Sequence, residues 1–187
     1  DAGFTNNSFA LSCGSITDGI VSVDCLVEII PMPGIALNYT SIFANVIVPI
    51  IKARNVKILL ADRWNSIKLL QDAQSDADLK LEICKQYSLK YTDLYMCRDA
   101  LDQKAITIPR ADVSEISDVL DHDPETYPKC FEYKPVEHLI LQFATIQDVG
   151  KKQVIKGDGF TDDLWRATAL MHWAAINPEY QEILAKE

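Results

Sequence analysis

Glu28 stands inside the apolar run Cys25-Leu26-Val27-Glu28-Ile29-Ile30 and is its one charged residue. A lone carboxylate buried in a strand costs several kcal/mol unless it is paired, so this position calls for a partner. The partner is either a Lys or a backbone amide at a strand end, or a cationic substrate group, with arginine the natural guess. Tyr39, Thr40 and Ser41 follow at the start of a helix-like stretch, where backbone N–H groups and the helix dipole favour an oxygen nucleophile. Asn38 beside them either lines a substrate pocket or caps that helix. His138 and Gln142 are four residues apart and share one helical face, either as pocket lining or as core. Asp62 ends the strand-like run Val56–Ala61, placed to hold a substrate amine or to cap the next helix. Asp158, Asp162 and Asp163 add negative charge, as part of an acidic pocket for an amino-acid side chain or as first-turn acids of a helix.

The remaining chemistry is excluded more than suggested. His122 and His172 have no ligand-type neighbours, no metal spacing exists, and no metal or cofactor is expected. The first strand is not followed by a Gly-x-Gly-x-x-Gly loop, which argues against dinucleotides. A net charge of −9 opposes generic nucleic-acid binding, so any RNA contact would need Lys52, Arg54, Lys57 and Lys68 gathered on one face. No apolar run reaches the roughly 18 residues of a membrane span, so no membrane partner is expected. Cysteines 13, 25, 84, 97 and 130 are odd in number without a CxxC, which reads as reduced thiols in a cytoplasmic protein.

These residues need a frame, and 187 residues suit a single α/β domain spanning 1–187. Residues 1–19, polar and rich in Gly, Ser and Asn, read as a partly ordered N-terminal lead-in. Residues 20–30 read as a strand, "YTSIFANVIVPIIKAR" as a buried helix kinked at Pro49, and "VKILLA" as a strand covered on both faces. Together they make a βαβ unit. "SDADLKLEICKQYSLK" reads as a helix capped by Ser75, "YTDLYMCRDALDQ" as another, and "AITIP" as a third strand. "DVSEISDVLDHDPETYP" holds a short acidic helix. "PVEHLILQFATIQDVG" has helix punctuation from Pro135 to Gly150, "KQVIKG" is a fourth strand, and two helices close the chain, the second capped by Asn177. The fold class expected is a three-layer Rossmann-like parallel sheet flanked by helices. Its site would lie at the carboxyl ends of the strands.

Four segments in order, "MPGIALNY", "VIVPIIKARNVKILLADRWNS", "HLILQFATIQD" and "VIKGDGFTDDLWRA", resemble the catalytic fold of tyrosyl- and tryptophanyl-tRNA synthetases. In that family the first carries a His-x-Gly-His motif, the third a Tyr-x-x-x-Gln-x-x-Asp that holds the ammonium group, and the fourth a Gly-Gly-x-Asp-Gln loop. Here the first reads Ala36-Leu37-Asn38-Tyr39 and the third His138, Gln142 and Thr145. The fourth reads Gly159-Phe160-Thr161-Asp162-Asp163, and no Lys-Met-Ser-Lys-Ser loop follows. Both ATP motifs are missing.

The tRNA-dependent cyclodipeptide synthases share that fold and that lack. The resemblance implies an aminoacyl transferase that takes aminoacyl-tRNA as partner and closes a diketopiperazine. The family's Tyr-x-x-x-Glu pair aligns with His138 and Gln142. No Ser stands directly after Ile30, which leaves Tyr39, Thr40 and Ser41 as candidate nucleophiles. The acid at Glu28 is similar to what a fungal arginine-using member would need. The alternative is a catalytically inactive synthetase-like module serving the binding or assembly of a larger complex.

Overall fold

A computed structural model of the chain describes residues 8–29, 37–62, 66–108, 135–150, 153–155 and 161–185. Asp18 and Gly19 both hold positive φ, 52° and 78°, the pair of values that a two-residue hairpin turn demands. The turn joins β1 (Phe9–Thr17) to β2 (Ile20–Ile29), antiparallel with Thr17 opposite Ile20. Residues 9–17, expected in the lead-in, therefore form a strand. The Asp-Gly pair is a hairpin signal that outweighs the polar composition around it.

The ladder slips between Cys13 and Gly14, where Cys13 faces Cys25 and Gly14 faces Val23, so Asp24 is an extra residue on β2. One extra residue inverts the side-chain alternation beyond it. Val21 and Val23 accordingly join one apolar cluster, and Val27 and Ile29 the other. Glu28 is thereby turned toward the helices of the first cluster.

Asn38 starts the next helix, its side chain accepting from the Ser41 N–H (3.1 Å). The helix runs as α1 (Tyr39–Ile42), a π-helical stretch (Phe43–Ile47) and α2 (Val48–Arg54). Pro49 lacks an N–H and its ring crowds the carbonyl of the preceding turn, and the wider π turn just before it relieves that conflict. Asn55, with φ 50°, ends the helix, and β3 (Ile58–Ala61) follows.

β3, helix α3 (Ile67–Ser75) and β4 (Ile83–Gln86) make a parallel βαβ unit one step later in the chain than expected. The helix expected from Ser75 onward is not there. Asp76 takes an extended conformation and its side chain accepts from the Asp78 N–H, a local turn that competes with helix. Lys80 has φ 52°, and the alternating residues after it pair with β3. Helix α4 (Tyr91–Asp102) leads to β5 (Ile106–Thr107), parallel to β2.

Helix α5 (Pro135–Thr145) stops short of Gly150, because the Thr145 hydroxyl donates to the Leu141 carbonyl (2.8 Å) and closes the last turn. Gln147–Gly150 is instead strand β6, antiparallel to β7 (Gln153–Ile155). Helix α6 (Asp163–Ile176) packs on β1, β2 and β3, and α7 (Pro178–Leu184) follows, its first turn capped by Asn177 as expected. The fold is mixed α/β. Among the described residues the strands fall into three sheets, β1-β2-β5, β3-β4 and β6-β7, and β2 is not paired with β3. The acidic helix expected at residues 112–128 lies outside the described residues.

Candidate functional site

Glu28, 5% exposed, is paired from within the protein. His138 on α5 places Nδ1 2.6 Å from Glu28 Oε2. On the other oxygen, Oε1, the hydroxyls of Ser8 (2.8 Å) and Thr161 (3.3 Å) donate. The partner is neither the Lys nor the substrate cation that the sequence suggests. Gln142, one turn beyond His138 and 1% exposed, donates through Nε2 to the Thr161 hydroxyl (3.0 Å) and accepts at Oε1 from the Trp165 N–H (2.9 Å). Its Nε2 also lies 3.4 Å from His138 Nδ1. With the Nδ1 proton on Glu28, that last contact joins two donors and is not a bond.

Ser8 ties this network to α6. Its hydroxyl lies 2.8 Å from both Glu28 Oε1 and Asp163 Oδ2, and its N–H donates to Asp163 (3.2 Å). One hydroxyl carries one proton, so two fully ionised carboxylates cannot both be served. Burial raises the Asp163 pKa, and the neighbouring charges of Asp162 and Glu28 add to it against the lowering effect of Ser8. The raised value favours a proton shared between the two acids through Ser8.

The other acids meet at the amino end of α6. Arg166 reaches Asp62 (2.8 Å) and, one turn back, Asp162 (3.8 Å). Asp62 also accepts at its carbonyl from the Ser66 hydroxyl. This end opens on a cavity of about 830 Å³ bordered by Tyr39, Asp62, Ser66, Asp162, Asp163 and Arg166. Among the described residues the two carboxylates of Asp62 and Asp162 face one guanidinium, leaving the mouth acidic, with Asp163 beside them.

Of the candidate nucleophiles, Tyr39 borders this cavity, while Thr40 and Ser41 are not among the residues lining it. The Ser41 hydroxyl accepts from Asn45 (3.1 Å), and Thr40 meets Lys68 Nζ at 3.4 Å. Asn38 acts as the helix cap. Glu28, His138 and Gln142 form the wall behind Ser8 and Asp163 and do not line the cavity. Asp158 lies outside the described residues. No described group of His, Cys, Asp and Glu could hold a metal ion.

Sequence reasoning missed Ser8, Thr161 and Arg166. Arg166 had a signal, its spacing of four from Asp162 at a helix start, which favours an ion pair. Ser8 had none, because its role depends on β1 lying against α6. Of the described cysteines, 13, 25, 84 and 97 are all unbridged, and burial pushes the Cys13 thiol up to about 11 and the Cys97 thiol up to about 12. No described helix is long and apolar enough to cross a membrane. The chain matches no protein-family model, no curated protein and no solved structure.

Proposed function

We propose that this chain is a catalytically inactive, synthetase-like module that binds a ligand bearing a cationic group at the Asp62–Asp162–Asp163 mouth, within a larger assembly. The single observation behind this is a division of labour. The acids at the mouth border an open cavity, whereas Glu28, the expected pocket acid, and His138 and Gln142, which align with the family's Tyr-x-x-x-Glu pair, bond inward. A general acid or base must lie within hydrogen-bond reach of the group it serves, and these three are committed elsewhere. The fold proposed is a Rossmann-like, three-layer derivative in which the hairpin partner β1 has entered beside the first strand.

Titration calorimetry with arginine methyl ester and its uncharged analogue norleucine methyl ester tests the reading. One-to-one binding of the first, at least fivefold tighter than the second and weakened by salt and by Asp162→Asn, supports it. Equal affinity for both, or none for either, overturns it.

Tyr39 at the cavity wall favours a second reading, aminoacyl transfer from charged tRNA to give a cyclic dipeptide, with the phenol as nucleophile. Expression in a bacterial host with mass spectrometry of the medium separates the two. Arginine-containing diketopiperazines that vanish with Tyr39→Phe would replace the binding reading by the enzymatic one.

A further inference from the structure

The cavity has a shape that its acidic mouth does not explain. Every residue from Ser8 to Ile16 and every residue from Val56 to Asp62 borders it. Side chains alternate between the two faces of a strand, so a cavity lying over one face would touch every second residue. Contact with all of them means that it meets the strands edge-on.

Among the described residues both edges are unpaired. β1 bonds to β2 on one side only, β3 bonds to β4 on one side only, and among the described residues no backbone hydrogen bond joins β1 to β3. Helix α6 packs against both strands. The Ser8–Asp163 and Asp62–Arg166 bonds bring the start of β1 and the end of β3 to the same end of α6, so the two strands run antiparallel. The slot between them is walled by Ile47, Ile50 and Ile51 above and by Leu170, Met171 and Ala174 below. Unpaired N–H and C=O groups along two facing edges form a template for a further strand.

Charge sets the polarity of what fits. Among the described residues, Asp62 and Asp162 against Arg166 make one end acidic. At the other end of the long slot stand the basic side chains of Arg54 and Lys57, near Asp24.

We infer that the ligand of this module is an extended peptide strand from a partner protein. It inserts between β1 and β3, about seven residues long and apolar on both faces, with Lys or Arg at the Asp62 end and a carboxylate at the Arg54–Lys57 end. The inserted strand would merge β5-β2-β1 and β3-β4 into one six-stranded mixed sheet between two helical layers. This rests on the binding reading above and names the ligand class.

The test uses the full chain and the labelled peptide Lys-Val-Thr-Val-Ile-Val-Glu, read by fluorescence anisotropy and by hydrogen exchange. The expected result is binding at least tenfold tighter than arginine methyl ester, with new amide protection confined to residues 9–16 and 56–62. Methylating two adjacent central peptide amides should weaken it at least tenfold, and replacing the peptide Lys by Glu at least fivefold. Ala174→Trp, which plugs the slot floor, should abolish binding, and the exchange pattern of the unaltered chain reads the same interface should that variant fail to fold. If arginine methyl ester binds but the peptide binds no tighter, or N-methylation has no effect, the strand inference is overturned and the cationic-ligand reading stands. If neither binds, both fall. A chain that sediments as a dimer, with residues 9–16 already protected, would assign the slot to a second copy and overturn the partner peptide.

Discussion

His138 Nδ1 lies 2.6 Å from Glu28 Oε2, a contact between residues 110 apart in sequence that fastens α5 to the second strand. The Glu28 side chain is fully enclosed and that of His138 is only 12% exposed, so Glu28 cannot fall back on water when His138 is removed.

Removing one member of this pair is therefore expected to cost more than removing both. Glu28→Leu or His138→Leu alone should destabilise by about 3–5 kcal/mol, the usual penalty for orphaning a buried partner. The double substitution should cost less than either, since Ser8 still meets Asp163 and Thr161 still meets Gln142. Urea unfolding of the four proteins closes the cycle. Additive losses would mean that the pair is not coupled.

The two ends of the hairpin system predict different glycine penalties. Gly19 has φ 78° with open space where a Cβ would go, so Gly19→Ala pays only the left-handed backbone term, about 1–2 kcal/mol. Gly14 faces crowding instead. A Cβ there would collide with the Ser22 carbonyl and lie 2.6 Å from Met171 Sδ on α6. Gly14→Ala should therefore lower the melting temperature further than Gly19→Ala, because a backbone carbonyl cannot swing aside.

What could be read from the sequence divides along the range of the interactions. The Asn38 cap, the helix over 39–54, the strand at 58–61 and the helices at 91–102, 163–176 and 178–184 follow from caps, prolines and apolar periodicity, all local signals. The placement of the sheets does not. The pairing of β2 with β1 instead of β3 turns on the Asp18-Gly19 turn, and the direction Glu28 faces turns on the single extra residue Asp24. The site divides in the same way. The four-residue spacing of His138 and Gln142 marked a shared face, while Ser8 became visible only through a contact with Asp163 that spans 155 residues.

His172 on α6 is 4% exposed, its Nδ1 has no hydrogen-bond partner among the described residues, and burial lowers its pKa. The fold favours the neutral ring. Its contribution to stability is present above the ordinary histidine range near 6.5 and is lost as pH falls through that range toward the folded value. His172→Phe should remove this slope and add about 1 kcal/mol at pH 5 by deleting an unsatisfied buried nitrogen. Thermal melts from pH 7.5 to 5, compared between variant and parent, cancel the contributions of the other groups and isolate the effect. Parallel pH curves would show that His172 is not the group responsible.

Asp163 should behave in the opposite sense. Burial raises its pKa in the fold, so the folded chain holds this proton more tightly than the unfolded one. The contribution to stability is fully present below the unfolded carboxylate value of roughly 4 and is lost as pH rises through the folded value. Asn at this position is neutral at every pH and its oxygen can still accept from the Ser8 N–H. Asp163→Asn should thus match the parent protein near pH 3 and exceed it at pH 7 by a few degrees in melting temperature, taking about 2–4 °C per kcal/mol for a chain of this size. A variant that loses stability at pH 7 would mean that Asp163 is ionised beside Glu28 and that Ser8 alternates its single proton between the two.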